Sequence, residues 1–148
     1  MQRFVFANAV VVALFIVDRT LKRWFNQNPS EIIGSDFFYN QLQFRFAKNF
    51  GVAFGINLGQ AITTMVVVGA ILLVMWMLVS EYRQHHALNV WGLTFILIGA
   101  ISNLLDRLLF GYVVDYIDVP WFTVFNIADV MITGGVLVLV SFIFLKKS

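Results

Sequence analysis

Apolar residues fall into four long runs along the chain, and the polar residues gather at the edges of those runs rather than in their middles. The first run, residues 4–17 (FVFANAVVVALFIV), is followed by DRTLKRWF. A helix crossing a bilayer needs about 20 residues. The run is therefore extended to about Phe25, with Lys22 and Arg23 snorkelling outward and Trp24 at the interface. The second run, residues 61–80, has no charge. The third, residues 88–105, ends at Asp106 and Arg107, and the fourth, residues 130–145, is closed by Lys146 and Lys147. The pattern predicts spans at residues 4–25, 61–80, 88–106 and 126–145 of one domain, residues 1–148. Both termini and the short connection EYRQHHA then lie on one side of a membrane, with the other two connections on the opposite side.

The long connection, residues 26–60, contains QLQFRF, in which Leu42, Phe44 and Phe46 alternate with Gln41, Gln43 and Arg45. A period of two predicts a strand. Because an unpaired strand cannot sit in lipid, a small sheet at the membrane surface is expected, greasy on one face. Gly51 and Gly55 then permit a tight backbone path through NFGVAFG. The fold class is thus an all-α membrane protein of four transmembrane helices, with a small β-sheet element between helices 1 and 2.

Composition supports a bilayer setting. Hydrophobic residues make up 60% of the chain and charged residues 12%, against roughly 45–50% and about 25% in soluble domains. A net charge of +2 is too small to argue for nucleic acid. Without cysteine there is no disulfide, thiolate nucleophile or Cys-based metal site. His85 and His86 are adjacent in a polar connection, which makes them a poor metal pair and a solvated loop. Arg3 before an apolar run resembles a cleavable signal peptide, but Asp18 and Arg19 stand where a small-residue cleavage site would follow, so the run reads as an uncleaved span. Lys and Arg number four on the terminus side (Arg3, Arg83, Lys146, Lys147) and six on the other (Arg19, Lys22, Arg23, Arg45, Lys48, Arg107). That count leaves the orientation open.

Ionisable residues in or beside spans are functional candidates by default. Asp18, Asn49, Asn103, Asp106, Arg107, Asp115, Asn126 and Asp129 all fall at one membrane face in this topology. Gly99, Asn103 and Asp106 share a helix face, and Gly99 would admit a close neighbour. Plainer readings stand beside the functional ones. Asn126 and Asp129 fit a helix N-cap and its third residue. Asp106 and Arg107 fit an interfacial ion pair, Asp118 a turn, and Gly134-Gly135 helix packing. Asp115 and Asp129 are the sharper case. Two carboxylates brought together cannot both ionise easily, so they share a proton. One can then activate a water while the other donates to a carbonyl oxygen. Spacing alone does not bring them together.

Taken in order, NFGVAFG, SNLLDRLLFGYVVDYID and FNIADV resemble the Asn-x-Gly-x-Ala-Phe, Asn-x-x-Asp-Arg with Gly-x-Val-Val-Asp-Phe, and Phe-Asn-x-Ala-Asp blocks of lipoprotein signal peptidase, the type II signal peptidase. The resemblance implies a multi-pass aspartyl endopeptidase of the bacterial inner membrane. Such an enzyme cleaves the signal peptide from a prolipoprotein just before a cysteine already carrying diacylglycerol. It also implies a catalytic dyad at Asp115 and Asp129, with Asn49, Asn103, Asp106, Arg107, Asn126 and Asp18 forming the substrate site. The termini would be cytoplasmic, and the site and sheet extracytoplasmic. The expected partners are prolipoproteins and membrane lipids, with no nucleic acid, cofactor or metal, and the chain is expected to be a monomer. The sequence departs from the family pattern at Arg19 and Leu21 (Asp-Gln-x-Thr/Ser-Lys is usual), at Ser102 in place of glycine and at Tyr116 in place of phenylalanine. Two other readings remain open, a small proton-coupled carrier and an inactive scaffold that binds lipidated peptides.

Overall fold

The computed structural model describes residues 2–33, 42–51, 59–119 and 122–145. Four helices appear where the apolar runs predict them: α1 (Gln2–Gln27), α2 (Gln60–Arg83), α3 (Ala87–Phe110) and α4 (Ile127–Leu145). α1, α2 and α3 run slightly beyond their predicted spans, and α4 begins one residue inside its own, after Asn126. The α2–α3 turn is tight, with His85 in the left-handed region at φ 60°. His85 is exposed, whereas His86 sits 2.8 Å from the Glu81 carboxylate through Nδ1. α3 stops at Gly111, whose φ of 81° suits a residue without a Cβ, and its N–H bonds back to the Arg107 carbonyl.

α3 packs most extensively on α4 and next on α2. The α3–α4 contact depends on glycine. A Cβ on Gly99 would lie 2.5 Å from the Ala128 carbonyl oxygen, and a Cβ on Gly135 would collide with the Gly92 carbonyl oxygen. Close backbone approach of this kind, rather than apolar burial, is what associates helices in lipid. Gly134 has no neighbour at that distance, so of the Gly134-Gly135 pair only Gly135 serves packing.

The outer surface of α2 is apolar. Only Thr63 and Ile71 are buried, and Met65 and Trp76 are 73% and 69% exposed. Exposed apolar area costs roughly 25 cal/mol per Å² in water, and a patch this large marks an apolar environment. By length and composition α2 and α3 are apolar enough to cross a membrane, while the apolar part of α4, Ile127–Phe142, is shorter.

The sheet is larger than the sequence suggested and is drawn from two connections. Its strands are β1 (Ile32–Ile33), β2 (Gln43–Asn49), β3 (Val113–Asp118) and β4 (Val124–Phe125), antiparallel in the order β1-β2-β3-β4. β2 confirms the alternating stretch but runs on to Asn49. β3 and β4 come from the segment between helices 3 and 4, so the sheet is not confined to the connection between helices 1 and 2. The β2–β3 register pairs Ala47 with Asp115 and Gln43 with Asp118, with an irregularity between Phe44 and Ala47. Asp118 is therefore a strand residue rather than a turn residue, and it receives a 2.6 Å bond from Arg45 Nε. Under the sheet, Phe25, Val114 and Tyr116 form a buried cluster against which Phe44 and Phe46 pack, the alternate residues of β2. The Phe25 and Tyr116 rings stack with centroids 5.4 Å apart. The sheet's greasy face thus packs partly on the end of α1. Gly55 lies outside the described residues.

Candidate active site

The site begins at the N-terminus of α4. The Asp129 N–H donates to Asn126 Oδ1 at 2.9 Å, and the Asn126 N–H donates to Asp129 Oδ2 at 3.2 Å. This is the reciprocal capping arrangement that the spacing allowed. It holds Asp129 on the first turn of a rigid helix, where the helix dipole favours negative charge. With its oxygen occupied, the Asn126 side chain must point its NH₂ the other way. There it donates to Asp115 Oδ1 at 2.6 Å. Asn126 thus ties both carboxylates to one residue, and capping and site-building are the same contact.

Asp115 is carried by β3 and is 2% exposed. Its second oxygen accepts from Asn49 Nδ2 at 3.0 Å, and Asn49 is locked in that orientation because its own Oδ1 accepts the Gly51 N–H. Burial, and after it the charge of Asp129, push the Asp115 carboxyl up to about 7, against the pull of the Asn49 and Asn126 amides. Asp115 and Asp129 therefore interact as a pair. The second donor to Asp129 is Asn103 Nδ2, at 2.8 Å from Oδ1.

Behind the pair lies a buried charge network. Lys22 is 0% exposed; its Nζ lies 2.7 Å from Asn103 Oδ1, 3.2 Å from Asp18 and 3.0 Å from Asp106. It does not snorkel. An ammonium on the face shared with Asp18 gains more from two carboxylates inside the protein than from turning outward, where its neighbour Arg23 is exposed. Asp106 also pairs with Arg19 and accepts the Val114 N–H at 3.1 Å. The expected Asp106–Arg107 pair does not form. Arg107 instead donates to the carbonyls of Gly51 at 2.7 Å and Asn103 at 3.3 Å, and its charge acts on Asp129, Asp115 and Asp106. Asp18 is fully buried, accepting from Ser102 Oγ at 2.6 Å, Tyr116 Oη at 2.9 Å and the Ala128 N–H at 3.3 Å. It bonds to neither Asp115 nor Asp129 among the described residues, and instead joins α1, α3, β3 and the start of α4.

Of the residues singled out from sequence, Asp115, Asp129, Asn49, Asn103 and Asn126 form one hydrogen-bonded group. Arg107 borders a cleft of about 860 Å³ between α2 and α3, lined also by Gln60, Thr64, Met65 and Leu72. Asp18 and Asp106 stand one layer behind.

A family model for signal peptidase (SPase) II matches residues 10–145. The chain belongs to the signal peptidase II family. Relatives named lipoprotein signal peptidase occur in Caldicellulosiruptor bescii (33% identical, covering 93% of this chain and 89% of that protein) and in Clostridium tetani (35% identical, covering 90% and 89%). Two solved structures described as bacterial membrane enzymes share the fold. One has a TM-score of 0.81 at 22% identity over 96% of this chain and 89% of the other, and the second has 0.74 at 23% identity over 93% and 91%. As a signal peptidase II, this chain is a peptidase and a membrane protein.

Four residues that join the network behind the two carboxylates in this signal peptidase II were not singled out from sequence: Lys22, Arg19, Ser102 and Tyr116. Only Lys22 carried a readable signal, since it follows Asp18 by four residues on one helix face. The other three are among the four positions where the chain departs from the family pattern, and all three converge on Asp18 and Asp106. Arg19 bonds Asp106 and the Ser102 carbonyl, while Ser102 and Tyr116 both donate to Asp18. The Tyr116 hydroxyl also accepts the Ile127 N–H at 3.2 Å, so it caps α4 in a way phenylalanine could not.

Proposed function

We propose that this chain is an aspartyl endopeptidase that removes the signal peptide from prolipoproteins, cutting just before a cysteine that already carries diacylglycerol. The observation that carries the aspartyl assignment is a charge inventory. Four carboxylates (Asp18, Asp106, Asp115, Asp129) face three cations (Arg19, Lys22, Arg107) in and behind the site. An unbalanced buried charge costs several kcal/mol. The group is neutral when one proton is shared, and Asp115, held up to about 7, is the carboxyl that keeps it.

The roles follow. Asp129, on the helix N-terminus, takes a proton from water as its oxygen attacks the scissile carbonyl carbon. Asp115 gives its proton to the carbonyl oxygen. In the resulting tetrahedral diol, Asp115 recovers a proton from a hydroxyl, Asp129 delivers its proton to the amide nitrogen, and the C–N bond breaks. Asn49, Asn103 and Asn126 hold the two carboxylates. Arg107, donating into the backbone at Gly51, shapes the cleft where the substrate enters. Asp18 and Asp106 act by positioning.

In this reading all four helices span the bacterial inner membrane, the termini are cytoplasmic, and the dyad end of the bundle with its sheet is extracytoplasmic. The protein works as a monomer among lipids. The substrate is itself a membrane helix with a lipid tail, which is why the carboxylates sit at the end of an apolar bundle. Purified protein is incubated with a diacylglyceryl-modified prolipoprotein and with its unlipidated form. Cleavage of the modified form alone is expected. Cleavage of neither, by protein that remains folded, overturns the reading and favours a carrier or a scaffold.

A further inference from the structure

Lys22 is a buried cation, and each of its two carboxylate partners also has other donors. Asp106 has Arg19 and the Val114 N–H, and Asp18 has Ser102, Tyr116 and the Ala128 N–H. The remaining contact of Lys22, 2.7 Å to Asn103 Oδ1, points toward the dyad. An asparagine amide can present either its oxygen or its NH₂ to a neighbour, and the network around it decides. With an ammonium on one side and the Asp129 carboxylate on the other, a flipped Asn103 would set NH₂ against Lys22 and oxygen against Asp129. Both contacts would be repulsive. The lock is shared by Asn126, whose NH₂ lies 3.3 Å from the same Asn103 oxygen.

We infer that Lys22 is a positioning residue for catalysis, which fixes the amide of Asn103 so that it donates to Asp129 and which supplies the positive charge that keeps Asp129 ready to accept a proton. The inference rests on the aspartyl reading above. It gives Lys22 two separable contributions, a hydrogen bond that orients Asn103 and a charge two contacts behind the base. The charged and titratable groups facing the dyad are Asp18, Arg19 and Lys22 from α1, Asp106 and Arg107 from α3, and Tyr116 from β3. β2 presents the uncharged Asn49. Among the described residues, Lys22 is the one of these bonded to a side-chain amide that itself bonds the dyad.

The test compares kcat, KM and the pH profile of wild type, Lys22→Met, Lys22→Gln and Arg19→Gln on the lipidated substrate, with thermal unfolding measured in the same detergent. An opposite charge nearby lowers a carboxyl pKa by roughly 1–3 units. Its loss therefore raises the pKa of the base, and the acidic limb of the profile moves to higher pH. Lys22→Met is expected to lower kcat at least about 10-fold, to leave KM within about 3-fold, and to move the acidic limb up by about one unit. Lys22→Gln restores a donor without the charge, so kcat recovers in part while the limb stays shifted. Arg19→Gln removes a cation that bonds Asp106 and Ser102 rather than an amide of the dyad, so it lowers thermal stability and moves the limb by clearly less than the Lys22 variants do. An unshifted limb in both Lys22 variants overturns the inference, as does an equal shift in Arg19→Gln. Failure of both Lys22 variants to fold also overturns it, placing Lys22 in the framework of the fold. The wild-type profile is recorded first, so that absence of cleavage there counts against the peptidase reading and a missing shift counts against Lys22.

Discussion

Asp115→Asn and Asp129→Asn are each expected to lower cleavage of a lipidated prolipoprotein by about 10³-fold or more. General acid and base contributions are each typically 10²–10⁴-fold, and in the proposed mechanism the two are carried by a pair sharing one proton. Neither residue can replace the other. Asp129 sits in the capping contacts of α4, while Asp115 hangs from a strand and is held by the amides of Asn49 and Asn126. Asparagine preserves size and removes the titratable proton. The double substitution is expected to be little worse than either single one, since residues acting as a unit are strongly non-additive. Folding is expected to be retained, because Asp115 is already neutral in this reading and a neutral amide at position 129 is cheaper to bury than an ionised carboxylate. Asp118→Asn is the internal comparison. Asp118 is committed to Arg45 on the sheet, and its loss leaves most of the activity. Initial rates with purified variants decide this, and near-normal turnover by either single variant removes that residue from the dyad.

The largest effect on stability is expected at Asp106. Its carboxylate, fully buried, is shared by Arg19, Lys22 and the Val114 N–H, which links α1, α3 and β3. Removing one member of a buried ion pair costs about 3–5 kcal/mol, because its partners are left desolvated. Arg19 is 22% exposed and can turn to solvent, whereas Lys22 at 0% cannot. Asp106→Ala is therefore expected to lower the detergent-solubilised Tm by roughly 10 °C, taking 2–4 °C per kcal/mol for a chain of this size. Asp106→Asn, which keeps an acceptor for Val114, should fall between. A Tm within about 2 °C of wild type for Asp106→Ala would show that the pairing adds nothing.

Sequence patterning reached the helices because each helix is a continuous apolar run, a signal that does not depend on tertiary partners. It reached β2 through the alternation of Leu42, Phe44 and Phe46. It did not reach β3, where VVDYID lacks a clean period of two and pairs with residues some 70 positions earlier. Four of its residues, Val113 to Tyr116, are buried in succession, so nothing in the local pattern marks one face. The Asn126–Asp129 capping contact was legible because it is local, whereas the bond from Asn126 to Asp115 was not, since it depends on how β3 meets α4. Lys22 illustrates the ambiguity best. The same residue at the end of an apolar run fits a snorkelling cation or a buried one, and only the positions of Asp18, Asp106 and Asn103 decide between them. The partner of Asp106 was misplaced for the same reason. Adjacent residues on a helix point apart, so Arg107 faces Gly51 while Asp106 faces α1.

A carboxylate pair that shares one proton leaves its signature in the wild-type pH–rate profile. With one carboxyl of the pair protonated and one ionised, kcat/KM is bell-shaped, and its two apparent pKa values belong to the pair. On the acidic side the base is protonated and activity falls. On the alkaline side the shared proton is lost, and Asp115, pushed up to about 7, places that limb near neutrality. The expected profile is a bell whose descending limb lies between about pH 6 and 8. A rate that keeps rising through pH 8 to a plateau, as a hydroxyl or amine nucleophile would give, contradicts it.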